Sequence, residues 1–413
     1  FCTSAALASA EDWIGFRGGQ HYGASDATNL PVEWNDQENI VWKQDLPGLG
    51  TSCPVLIGPR VYLTCYSGYA ENAEQPGEQK NLVRHVVCLD RQTGSPIWQK
   101  EFPAKLPESD YRPGLDSMHG YASSTVASDG ERLYLFFGVS GAYCLDLNGE
   151  VVWHKDLGDG KHGWGSAASP VVYGDVAVFN ASIESRSLVG LDKLTGEELW
   201  RVPDIRDCWS TPTLVEAAGR TEVVLNVPNR LTAYNPETGE ELWHCDGCPD
   251  GYLCPSVIAD NGTVFVTGAR KNTTIAVKAG GSGDVTESHV LWRADKGSNV
   301  CSLAKAGDYL YFLHDKNGVA ACLNAETGDV MFEKRLRPRP GIIYASLTSA
   351  DGKLYATSQE GATYVLEATP DELKQLAVNT FENDQTRTNA SISVGDNRLF
   401  LRTDKAIYCI GKQ

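Results

Sequence analysis

Cys208, Cys245, Cys248 and Cys254 have the widest choice of chemistry in this chain, because thiols close together can bridge, bind a soft metal or anchor a haem. Cys245-Asp246-Gly247-Cys248 has haem-attachment spacing, but Pro249 stands where the histidine ligand belongs. A thiolate zinc site usually takes two C-x-x-C pairs, and this sequence has one. A disulfide among these four is therefore the expected outcome, with free thiols or a metal as alternatives.

A second set mixes cations with aromatic rings. Tyr66, Tyr69, Tyr111, Arg112, Asp116 and His119 lie in or beside two long insertions, residues 67–84 and 102–120. His162, Trp164, Arg206, Trp209, Tyr252, Lys296, Asn299, Arg337, Arg339, Tyr344, Arg387 and Asn389 precede or begin strand-like segments. The run Lys334-Arg335-Leu336-Arg337-Pro338-Arg339-Pro340 is the densest piece. Guanidinium and ammonium groups among Trp and Tyr faces suit an anionic or carbohydrate ligand. Spacing places no carboxylate dyad and no Ser/His/Asp set, so no catalytic residue is assigned.

The elements that position these residues come from an internal repeat. Its form is apolar-Leu-Asp, a short turn, Thr-Gly, three residues, Trp. It reads Leu89-Asp90 to Trp98, Leu191-Asp192 to Trp200, Tyr234-Asn235 to Trp243 and Leu323-Asn324 to Phe332, with looser copies ending at Trp153 and Trp292. Each copy predicts two strands around a turn whose glycine supplies positive φ. A second motif precedes it, as in Ser169 to Asp175 before Val176-Ala177-Val178-Phe179. Together they make a four-stranded antiparallel unit of about 40 to 50 residues, the size of one propeller blade. Inner strands begin near Thr51, Tyr121, Ser166, Ser210, Cys254, Cys301, Ala345 and Ala390, which makes eight blades. The last copy lacks a fourth strand, and residues 40–46 form an outer strand without a blade. The expectation is an all-β, eight-bladed β-propeller closed by that N-terminal strand, which removes an exposed edge. Cys88, Cys144, Cys322 and Cys409 fall at one equivalent third-strand position, too far apart to bridge, and read as small buried hydrophobes.

Composition agrees with this architecture and narrows the partners. The 413 residues carry 53 acidic and 36 basic side chains, a net charge of −17. That excess repels phosphate backbones and anionic lipid, which argues against nucleic-acid or membrane-surface binding. No apolar run is long enough to span a bilayer as a helix. Residues 1–10 are small and mostly apolar, end in Ala8-Ser9-Ala10 and read as the remnant of a secretory signal. Residues 11–39 read as an extended segment and 40–413 as one propeller domain. Export to the periplasm or outside of a bacterial cell follows.

Trp13-Ile14-Gly15-Phe16-Arg17-Gly18, Leu30-Pro31-Val32-Glu33-Trp34 and Ile40-Val41-Trp42-Lys43, together with the Asp-x-x-Thr-Gly-x-x-x-Trp copies, carry a family resemblance. Over residues 11–411 the chain resembles the PQQ-binding-like (quinoprotein-like) β-propeller repeat proteins abundant in planctomycete bacteria. Those resemble in turn the propellers of quinoprotein alcohol dehydrogenases and of an outer-membrane assembly lipoprotein. The resemblance implies the fold; a quinone needs more. Dehydrogenases of this shape hold PQQ between a Trp and a disulfide of adjacent cysteines, beside calcium. Here Cys208-Trp209 supplies one sulfur, no Cys-Cys pair exists, and no acidic cluster sits at inner-strand starts. No cofactor and no metal is expected. The leading expectation is an exported, non-catalytic propeller that binds a protein partner or small ligand on the face carrying the insertions. The competing ones are a PQQ-dependent oxidoreductase, a carbohydrate-active enzyme and a structural subunit that stacks into an oligomer.

Overall fold

The computed structural model describes residues 12–112, 119–268 and 272–412. Asp116 and residues 1–10 lie outside the described residues. The strands form eight sheets, each with the four antiparallel strands of one blade, and two sheets carry a fifth short strand. The blades occupy residues 55–103, 127–155, 171–203, 213–246, 258–294, 304–335, 348–379 and 393–410. The N-terminal strand Ile40–Asp45 completes the last blade, pairing antiparallel with Ala406–Ile410. This is the closure that the orphan outer strand predicts.

Two buried arginines lock the seam. Arg402 Nη1 donates to Thr64 O at 2.7 Å and Ser52 Oγ at 2.9 Å in the first blade. Arg91 of the first blade pairs with Asp396 of the last at 2.8 Å.

The repeat sequence encodes the contact between neighbouring blades. Asp90 accepts the N–H groups of Gln92 and Thr93 at 3.0 and 2.8 Å, which shapes the turn. Gly94 then sits at φ +73° directly against Trp42 of the preceding blade, and a Cβ there would lie 2.5 Å from the indole. Gly196 meets Trp153, Gly239 meets Trp200 and Gly328 meets Trp292 in the same way. Trp42, Trp98, Trp153, Trp200 and Trp292 each donate Nε1–H to a carbonyl of the next blade's turn, at 3.0–3.1 Å. Within a blade, a small third-strand residue faces the Trp: Cys88 opposite Trp98, Cys144 opposite Trp153, Gly190 opposite Trp200. Cys88, Cys144, Cys322 and Cys409 are fully buried free thiols, as their equivalent positions predict.

The seventh blade breaks the pattern, because Ala377 stands where the others carry Trp or Phe. Trp34 from the N-terminal segment takes the place. Its ring centroid lies 6.4 Å from Tyr355, as Trp98 lies 5.9 Å from Tyr62 and Trp153 lies 6.3 Å from Tyr134.

Around the axis, each blade hands a backbone N–H to a hydroxyl of the next. Cys53 donates to Thr125 Oγ1 at 2.9 Å, Thr125 to Ser169 Oγ at 2.9 Å, Ser169 to Thr211 Oγ1 at 3.1 Å and Thr211 to Ser256 Oγ at 2.8 Å. Ser256 to Ser302, Ser302 to Ser346 and Ser346 to Ser391 follow at 3.0 Å. The Ser391 N–H reaches the Cys53 thiol and completes the circle.

Residues 12–25 cross the lower end of this tube. Trp13 bridges Leu56, Ile14 O accepts from Ser128 N–H, Tyr22 OH donates to Leu214 O, and Ala24–Ser25 pairs with Ser349–Ala350. One segment thereby touches the first, second, fourth and seventh blades, and Arg17 Nη2 adds Leu303 O of the sixth at 2.5 Å.

Candidate functional site

The axial tube widens at the upper face, where blade-to-blade connections and the two insertions lie, into a cavity of about 500 Å³. Phe16 forms part of its lining and also borders a separate cavity of about 80 Å³ among lower-face residues. The wall position two residues before the ring hydroxyl is occupied, blade by blade, by Thr51, Ser123, Ala167, Trp209, Cys254, Val300, Tyr344 and Asn389, and all of them line the cavity. Connections above add His119, Trp164, Tyr252, Asn299, Lys316 and Ile342.

One side of the mouth is aromatic. Trp164 lies 5.2 Å from Trp209 and 4.5 Å from Tyr252, ring centre to ring centre, and His162 packs edge-on to Trp209 at 4.8 Å. Trp209 is held by its Nε1–H on Gly165 O at 2.8 Å. The other side is amide and hydroxyl. Tyr252 OH donates to Asn299 Oδ1 at 3.1 Å, and Thr51 Oγ1 donates to His119 O and to Ser123 Oγ at 3.1 and 3.0 Å. Burial pulls His119 down to about 4, so its imidazole is neutral at pH 7. Burial likewise raises Cys254 and Tyr344 to about 12, so neither lends a negative charge to the wall.

Of the residues expected at the mouth, His119, Trp164, Trp209, Tyr252, Tyr344, Asn299 and Asn389 come together at the cavity. The expected ring of cations does not form. Arg206 pairs with Asp204 at 2.9 Å beside a lateral cleft, Arg387 with Asp404 at 2.9 Å and Lys296 with Glu333 at 2.6 Å. Arg337 takes the Gln375 side chain on its backbone, and Arg339 donates to Lys316 O at 3.0 Å. Nearby carboxylates satisfy Arg206, Arg387 and Lys296, and an acidic chain supplies many. Lys316, in the second-to-third-strand turn Asp315-Lys316-Asn317-Gly318, is the cation that reaches the wall. No motif or repeat position in the sequence singles it out.

Tyr66, Tyr69 and Tyr111 do not face the cavity. They pack with Leu82, Ala122 and Tyr121 in a small core under the insertions. Tyr111 N–H donates to Tyr69 OH at 3.1 Å, and burial lifts Tyr66 to about 12. Arg112 is exposed. The second insertion is anchored by the buried ion pair of Arg84 with Glu108, and Arg84 Nε also donates to Tyr121 O at 2.9 Å. His162 borders the lateral cleft, where Glu184 is buried with Ser166 Oγ donating to Oε1 and Oε2 unpartnered. Burial raises Glu184 to about 7.

The expected disulfide is not formed among the described residues. Cys208 meets Ser210 Oγ at 3.1 Å and donates to Asn226 O at 3.2 Å. Cys245 packs in the core against the fifth blade, Cys248 donates to Thr273 O at 3.8 Å, and Cys254 lines the cavity. All four are free, with Cys245 and Cys248 in one core cluster.

Repeats that dock a tryptophan onto the next turn, closed into eight blades, make this a PQQ-like β-propeller. The family model described as outer membrane protein assembly factor BamB matches residues 33–203 and 83–246, over half of the chain together. The chain belongs to that family. Quinoprotein alcohol dehydrogenase PedH of Pseudomonas putida is 31% identical over 130 residues, which are 29% of this chain and 20% of that protein. The match therefore spans about a fifth of that relative's length. Among solved structures, BamB from Moraxella catarrhalis aligns with TM-score 0.59 and 14% identity, covering 90% of this chain and 96% of its own. Quinohemoprotein alcohol dehydrogenase from Comamonas testosteroni aligns with TM-score 0.65 and 12% identity, covering 99% and 82%. At such identities the likeness establishes the fold and leaves the activity to the site.

Proposed function

We propose that this chain is an exported, non-catalytic binding propeller that holds a small ring-shaped ligand, of the carbohydrate class, in the upper axial cavity. The observation that carries this is the wall itself: Trp164, Trp209 and Tyr252 side by side, followed around the circle by Asn299, Tyr344, Asn389, Thr51 and Ser123, about 500 Å³. Aromatic faces bury the apolar face of a sugar ring, and oriented amides and hydroxyls meet its hydroxyl groups. The quinone of the related dehydrogenases fits this donor set poorly. No group of three His, Cys, Asp or Glu able to hold a metal ion occurs among the described residues, and no adjacent cysteine pair backs Trp209. We assign no step to it.

The test is a titration of intrinsic tryptophan fluorescence with a panel of oligosaccharides, repeated with Trp164→Ala. Trp164 is half-buried, and a melting curve of the variant recorded beside the wild type separates lost binding from lost fold. A saturable change with at least one glycan, weakened tenfold or more by the substitution, is expected. A flat response to the whole panel would remove the reading. A protein partner on the same face is the second reading, favoured by the family's assembly factor; a co-purifying partner displaced by Trp164→Ala would favour it.

A further inference from the structure

We infer that the ring held in the axial cavity carries a negative charge, the chemistry of an acidic sugar such as a uronate, and that Lys316 reads that charge. This rests on the proposed binding of a ring ligand there and adds its charge. The chain has 53 acidic residues, yet among the described residues no Asp or Glu lines the cavity. Keeping carboxylates out of one wall of so acidic a protein removes the local repulsion an anion would meet. Among the described residues Lys316 is the one lysine or arginine on the wall; it is exposed, and no ion pair of its ammonium occurs among them. The neighbouring carboxylate of Asp315 is buried behind the wall, where it accepts from Asn299 Nδ2 at 3.3 Å and lies 3.3 Å from His314 Nδ1. Arg339 donates to the Lys316 carbonyl at 3.0 Å and fixes the turn that presents it. His119, neutral at pH 7, does not compete for the charge.

The aromatic side sets where the ring lies, and Lys316 stands on the sixth blade, two blades on from Trp209. In the proposed pose a sugar stacked on Trp164 and Trp209 turns one substituent toward that residue. A hydroxymethyl group gains little from that neighbour, whereas a carboxylate gains a charge-assisted hydrogen bond.

The experiment compares sugars that differ only at C6: galacturonate trimer with galactose trimer, and glucuronate-ended with glucose-ended disaccharide. Affinities are measured by calorimetry at low and high ionic strength. The acidic member of a pair should bind about tenfold tighter at low salt, with the gap narrowing as salt rises. Lys316→Met should erase the preference while sparing the neutral sugar, and Lys316→Arg should retain it. Because the side chain is exposed, both variants fold. Equal affinity within every pair, or a preference unchanged in Lys316→Met, overturns the assignment while leaving ring binding intact. Failure of both members of every pair to bind overturns the underlying reading with it.

Discussion

Deleting one hydroxyl from the inner ring tests the account of how the blades are joined. Ser169 is buried, and its Oγ accepts the Thr125 N–H at 2.9 Å. Neither residue borders the axial cavity, so water has no ready path to the vacated place. Ser169→Ala leaves a backbone donor unpaired in the interior, a loss of about 1–3 kcal/mol. Unfolding entropy of about 2.1 cal/mol/K per residue gives a chain of 413 residues about 0.9 kcal/mol/K. The melting temperature should therefore fall by about 1–3 °C, within reach of scanning calorimetry.

The control is Ser256→Ala, which removes an equivalent hydroxyl at a position that lines the cavity. Water can take over the Thr211 N–H there, so the loss should be smaller than at Ser169. Cys53→Ser puts an eighth hydroxyl into the circle and should be neutral or stabilising, since a thiol is the weaker acceptor. Ser169→Ala melting with the wild type, or Ser256→Ala costing as much as Ser169→Ala, would refute the reasoning.

Trp34→Ala should cost about 3–5 kcal/mol, like a blade's own core tryptophan, whereas Ala377→Trp in that background should restore part of it; urea unfolding of the single and double variants decides. Glu184 is raised from 4.5 to about 7, so the folded state holds a proton the unfolded one has released, and stability falls as pH rises through that window. Glu184→Gln should match the wild type near pH 5 and exceed it near pH 8 by about 3 kcal/mol, and chemical denaturation at the two pH values showing no such divergence would count against it. His119 has the opposite sign: lowered from 6.5 to about 4, it withdraws stability as pH falls between those values, a loss that the Glu184→Gln protein should reveal on acid titration.

The frame was legible because each of its contacts recurs. Asp90, Thr93 and Gly94 reappear as Asp192, Thr195 and Gly196, with the same turn hydrogen bonds and the same indole against the glycine. Even the closure was readable, since Ile40–Asp45 had no sheet of its own. The hydroxyl ring carried a signal too, a Ser or Thr at 125, 169, 211, 256, 302, 346 and 391, but these look like ordinary small strand residues until their spacing is compared. What escaped was set by single contacts with no repeat behind them. Trp34 was read as part of a motif without its place beside Tyr355, and Phe16 without its place in the cavity. The cations failed for a related reason: position near the mouth says nothing of whether Asp204, Asp404 or Glu333 will claim the charge.

On the inner strands, the position that repeats and the position that varies lie two residues apart. At the ring position the eight inner strands carry seven hydroxyls and one thiol, because every blade must accept the same N–H. Two residues earlier, on the same strands, stand Thr51, Ser123, Ala167, Trp209, Cys254, Val300, Tyr344 and Asn389, with hardly a side chain repeated. Symmetric packing cannot require that variety, since the backbone around each position is equivalent. A partner resting on the mouth as a flat lid would meet only the outer connections and leave these inward positions unused. A ligand that enters the cavity meets aromatic, amide and cationic walls in a fixed circular order. An eight-fold frame then presents a site with one orientation, and specificity resides in the positions that break the repeat.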